Sequence, residues 1–126
     1  MEAPEEDVLR FILTRIDTVP QIEALLLLWE IRPGPLTPAQ VAERLYVPEK
    51  TARQILRALS TRKLVARTND RLRYAYDTAW DPTGEFMRRV AATYQRHLIR
   101  VATMIHGKAA PAVLEFARAF APKKES

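Results

Sequence analysis

The chain has 126 residues, 48% of them apolar and 28% charged, which is enough for one folded domain with a single core. It has no Cys, which excludes a disulfide framework, a thiolate metal site and a thiol nucleophile, and suits a reducing cytosol. The net charge of +5 is unevenly spread: residues 1–30 carry seven acids against two bases, whereas residues 48–76 carry eight bases against two acids.

Residues 4–16, "PEEDVLRFILTRI", open with Pro and acids, which suit a helix N-terminus. Val8, Phe11, Ile12 and Ile16 recur at helical spacing. The acidic start is wrong for a signal or transit peptide. Glu5, Glu6 and Asp7 read as a first-turn cluster rather than a catalytic pair. In "TVPQIEALLLLWEIRPG", Thr18 and Gln21 have capping-box spacing. Ile22, Leu25, Leu26 and Trp29 make one face, and Leu27 and Leu28 widen it, so a central buried helix is expected, ended by Pro33-Gly34-Pro35. The longest apolar run, "ALLLLW", is far too short to span a bilayer, so no stable membrane insertion is expected.

"LTPAQVAERLYVP" repeats the start signal, with Thr37 as N-cap, Pro38 at N1 and Gln40 completing the box. Val41, Ala42 and Leu45 face inward. Pro48 opens the next helix, whose inward positions are Ala52, Ile55, Leu56 and Leu59. Its outward positions are Glu49, Lys50, Arg53, Gln54 and Arg57, so the bases fall on the face left exposed.

The period then changes to two. In "LVARTNDRLRYAYD", Leu72, Tyr74 and Tyr76 alternate with Arg71, Arg73 and Ala75, and Asn69-Asp70 suits a tight hairpin turn with positive φ. The hairpin carries Arg67, Arg71 and Arg73 near its tip. Asp81-Pro82 starts a long helix over roughly 82–106, stopped by Gly107. A helix of about 24 residues exceeds the mean of about 11–12, so part of it is expected to meet another chain. A short amphipathic helix is expected at 110–121. The segment "AAPAVLEFARAFAPKK" also raises peripheral membrane contact as a weaker reading.

Three functional segments result: an N-terminal helix (1–17), a central domain (18–80) and a C-terminal dimerisation segment (81–126). His97 and His106 lack a third ligand at metal spacing. No Ser/His/Asp order, Gly-rich phosphate loop or Cys/His cluster is present. The expectation is a non-enzyme without metal or other cofactor. Trp29, Tyr74, Tyr76, Trp80 and Phe86 read as core in preference to a ligand pocket.

"LTPAQVAERLYVPEKTARQILRALSTRKLVAR" resembles the winged helix-turn-helix of bacterial transcriptional regulators of the MarR-like superfamily. Thr37, Val41, Ala42, Leu45 and Val47 match the first helix and turn. Thr51, Ala52, Ile55, Leu56, Leu59, Leu64 and Val65 match the second helix and first wing strand. Tyr46 and Lys63 stand where Gly is usual, at positions that commonly need positive φ. The resemblance implies a mainly α fold with a small β-hairpin wing, flanked by N- and C-terminal helices. It also implies a cytoplasmic homodimer that binds double-stranded DNA through a recognition helix (48–63) and a basic wing (64–77). Lys50, Thr51, Arg53, Gln54 and Arg57 become the recognition-helix candidates. Thr51 suits a phosphate, and Arg53 and Gln54 suit guanine or adenine edges. Arg67, Arg71 and Arg73 of the wing would lie along the backbone or minor groove. The alternative is a protein-interaction module that holds an acidic segment of a regulatory protein partner.

Overall fold

The computed structural model describes residues 6–108. Among them are α1 (Glu6–Arg15), α2 (Val19–Glu30), α3 (Pro38–Leu45), α4 (Glu49–Thr61), β1 (Val65–Arg67), β2 (Tyr74–Tyr76), α5 (Glu85–Arg96) and α6 (Leu98–His106). They fall into two compact units: residues 20–87, and the flanks 6–19 with 88–108. No helix among the described residues is long and apolar enough to cross a membrane.

In the central unit, α3 begins as its residues dictate. Gln40 N–H donates to Thr37 Oγ1 at 3.1 Å, and Thr37 N–H donates to Gln40 Oε1 at 2.8 Å, so both halves of the capping box form. Pro38 supplies the pre-set φ of the first helical position. The helix ends at Tyr46, whose φ of 58° and ψ of 47° are left-handed, and the Val47 N–H returns to Ala42 O at 3.1 Å. The turn swings the chain into α4, which packs on α3. Ala52, Ile55, Leu56 and Leu59 are buried as their spacing predicts.

Lys63 closes α4 with a φ of 62°. Lys63 N–H bonds Ser60 O at 2.9 Å and Leu64 N–H bonds Leu59 O at 3.0 Å, the paired closure that a left-handed residue allows. Tyr46 and Lys63 thus adopt the conformation usually given to Gly. The chain then enters β1, which pairs antiparallel with β2: Val65 faces Tyr76 and Arg67 faces Tyr74. Leu36 extends this small sheet by two backbone bonds to Tyr74, at 2.9 and 2.8 Å. The fold is a winged helix-turn-helix: α3, turn, α4 and hairpin in order, with flanking helices at both ends.

Three expectations are corrected. The helix expected over 82–106 is two helices: His97 has φ −125° and ψ 42°, and α6 restarts with the Val101 N–H on His97 O at 2.8 Å. Apolar spacing continues through Val90, Tyr94, Val101 and Ile105, all buried, which is why the break is invisible in the pattern. At the hairpin, positive φ falls on Arg71 (64°), not on Asn69 or Asp70. The Arg71 N–H bonds Thr68 O at 2.8 Å, so the turn spans Thr68–Arg71 and its left-handed residue closes it. This breaks the alternation, and Leu72, which the alternation puts on one face with the buried Tyr74 and Tyr76, is 64% exposed. The helix expected at 110–121 lies outside the described residues.

In the flanking unit, α1 buries Val8, Phe11, Ile12 and Leu13 and packs on α6, which buries Val101 and Ile105. Arg89 bonds both oxygens of Asp7 at 2.8 and 2.9 Å. Lys108 Nζ donates to Ile16 O at 2.5 Å and Asp17 Oδ1 at 3.1 Å. The acidic N-terminal segment thus pairs with Arg89 of α5 and with Lys108 just beyond α6.

Candidate nucleic-acid interface

The basic face of α4 survives folding. Lys50, Arg53, Gln54 and Arg57 are exposed, and Thr51 is half-buried. Arg53 pairs with Glu49 one turn earlier. Because both side chains are about half exposed, that pair contributes little to stability. Among the described residues neither Arg57 nor Arg71 forms an ion pair.

The wing tip is fixed by one carboxylate. Asp70 accepts from the Thr68 hydroxyl at 2.5 Å, the Leu72 N–H at 3.0 Å and Arg73 Nη2 at 3.1 Å. These bonds, led by that of Thr68, hold its carboxyl down at about 2. Arg73 is therefore engaged at the tip. Arg67 stacks on Tyr74, its guanidinium carbon 5.4 Å from the ring centroid.

Between α4 and the wing lies a cleft of about 80 Å³. Four arginines line it: Arg53 and Arg57 from the helix, and Arg67 and Arg71 from the hairpin. Pro38, Leu72 and Tyr74 complete the wall, and no acidic side chain lines it. Of the eight predicted site residues, the structure brings these four together. Lys50, Thr51 and Gln54 sit on α4 outside the cleft, and Arg73 turns to Asp70. Sequence reasoning missed Pro38, Leu72 and Tyr74. Pro38 reads locally as a helix start, and only the Leu36–Tyr74 pairing carries its neighbourhood to the wing.

Below the wing, Tyr76 donates its hydroxyl to Asp81 Oδ2 at 2.7 Å. Asp81 also accepts the Phe86 and Met87 N–H groups at 3.2 and 3.0 Å, which caps α5. Burial, then the neighbouring Asp81, raises the Tyr76 phenol well above its ordinary range. Trp80 donates to Leu64 O at 3.2 Å and lies 5.6 Å from Tyr76 and 6.0 Å from Phe86, centroid to centroid. The aromatic group packs beneath the hairpin, with Tyr76 buried and Trp80 and Phe86 half-buried. Among the described residues no cluster of three His, Asp or Glu could hold a metal ion.

No protein-family model and no curated protein matches the chain. A solved structure does: RV1404 from Mycobacterium tuberculosis, 17% identical, with a TM-score of 0.52 over 94% of this chain and 86% of that one. The two chains share a fold.

Proposed function

We propose that this protein is a sequence-specific DNA-binding transcriptional regulator, cytoplasmic and homodimeric, that docks α4 in the major groove with its wing alongside. The observation that carries the reading is the convergence of Arg53, Arg57, Arg67 and Arg71 from two separate elements on one open cleft. Like charges gathered on a surface repel one another, and a polyanion relieves that repulsion. The exposed ridge of α4 is also the part of this fold with the shape to enter a groove. Dimerisation is supported by Leu98 and Ile99, which are 45% and 77% exposed at the start of α6. A second copy that covers them would give a two-fold pair of recognition helices.

A second reading, a protein-interaction module for an acidic partner segment, is favoured by the exposure of Tyr46 (94%) in the turn before α4 and of Leu72 (64%) in the wall of the basic cleft. Aromatic and aliphatic anchors within a charged rim suit a protein interface. Selection of bound duplexes from a random DNA pool separates the two. The regulator reading expects enrichment of two half-sites about 10 base pairs apart, centre to centre. Recovery of the pool without enrichment contradicts sequence-specific binding.

A further inference from the structure

We infer that the cleft between α4 and the wing seats one phosphodiester of the DNA backbone, so that Arg53 and Arg57 position the duplex and the reading of bases falls to Lys50 and Gln54. This rests on the DNA-binding reading and divides the labour within that site.

The exposed face of α4 consists of two rows. Residues four apart stand above one another on a helix. Arg53 and Arg57 form one such row, and both line the cleft toward the wing. Lys50 and Gln54 form the neighbouring row, and both are exposed outside the cleft. The helix therefore turns its arginines sideways to the hairpin and keeps an ammonium and an amide at its free edge.

The chemistry of the cleft suits a phosphate better than a base. Guanidinium groups donate and never accept. Four of them around one small volume match a group that only accepts and carries a full negative charge. Base edges mix donors with acceptors, and guanine, which offers two acceptors, is satisfied by a single guanidinium. Glu49 offsets only one of the four positive charges.

The wing side of the seat is also pre-set. Arg67 is held on the Tyr74 ring, and the Arg71 backbone is fixed by its bond to Thr68 O. The three bonds of Asp70 lock the tip between them. Donors already held in place lose little freedom on binding.

Two measurements test this on the full chain. The first is fluorescence anisotropy across a salt series, with a duplex recovered by selection and a scrambled duplex of the same length. Arg53→Gln and Arg57→Gln should each weaken both duplexes by one common factor of about ten, and the two together should reduce the salt slope by no more than about 1, the share of a single phosphate. Gln54→Ala and Lys50→Ala should lower the ratio between the duplexes. If Arg53→Gln or Arg57→Gln instead abolishes that ratio and leaves scrambled DNA unaffected, the arginines read bases and the inference is overturned while DNA binding stands. The second is NMR of the arginine Nε–H groups titrated with inorganic phosphate. Saturable shifts at Arg53, Arg57, Arg67 and Arg71 are expected, and they should be lost in Arg57→Gln/Arg71→Gln. Absence of shifts in the wild type overturns the seat. Shifts without binding of any duplex overturn the DNA reading and the backbone assignment together.

Discussion

The Tyr76 hydroxyl and the Asp81 carboxylate lie 2.7 Å apart, both residues buried, and join the last strand of the wing to the first turn of α5. The bond ties the orientation of the hairpin to the helix that follows it. Tyr76→Phe leaves Asp81 with two backbone donors and should cost about 1–2 kcal/mol, read by urea denaturation. The pH dependence has a definite sign. The raised phenol keeps its proton in the folded chain, whereas the unfolded phenol ionises near about pH 10. The contribution is therefore complete below about pH 10 and declines above it. The stability gap between wild type and Tyr76→Phe should narrow as the pH climbs past that point. A gap that widens there contradicts the assignment.

Tyr46 and Lys63 hold left-handed backbone that suits Gly. That conformation costs a side-chain-bearing residue about 1–2 kcal/mol. Gly enlarges the unfolded ensemble, which costs about 0.4–1 kcal/mol. Relief of strain outweighs that cost, and the Tyr46 ring, 94% exposed, forfeits no burial. Tyr46→Gly and Lys63→Gly should each raise stability by about 0.5–1 kcal/mol, seen as a higher urea midpoint with an unchanged slope. A lower midpoint in both refutes the strain argument.

Gly84 has a φ of 75°, and a Cβ there would meet the Arg32 guanidinium at 2.6 Å. The Gly84 carbonyl also accepts the Trp29 indole N–H at 3.0 Å. Gly84→Ala should destabilise by about 1–2 kcal/mol and displace Arg32, which lies 5.1 Å from the Trp29 ring centroid. Thermal unfolding and Trp29 fluorescence check both effects.

Asp70 keeps its charge well into acid because the Thr68 hydroxyl and the Leu72 N–H favour the carboxylate. A lowered carboxyl stabilises above its unfolded value, and the effect fades as the pH falls through about 2. The wing tip should stay ordered at about pH 4 and loosen near pH 2. NMR titration of the Asp70 carboxyl and the Leu72 amide measures this, and a midpoint near about pH 4, the ordinary carboxylate value, refutes the tip geometry.

Much of the fold was legible because local rules and tertiary structure agree. The Thr37–Gln40 box, the inward face of α4 and the change of period after Lys63 each name their element. The break at His97 was hidden because buried positions continue at helical spacing on both sides of it. The exposure of Leu72 was hidden because a single left-handed residue, Arg71, shifts the alternation. Residue types identified the eight candidate side chains. Their separation into four cleft arginines, three α4 residues outside the cleft, and Arg73 held at the tip depends on the long-range closure of the hairpin over α4, which no local pattern encodes.

The most direct measurement is the affinity of the full chain for generic duplex DNA as a function of salt. Each phosphate neutralised contributes about −0.9 to the slope of log K against log [salt]. The phosphate seated by the four converging guanidinium groups predicts a slope of about −0.9, made steeper by each further phosphate that the other exposed bases contact, with tight binding at low salt. Failure to bind duplex at about 50 mM salt, or an affinity that salt leaves unchanged, would contradict the account.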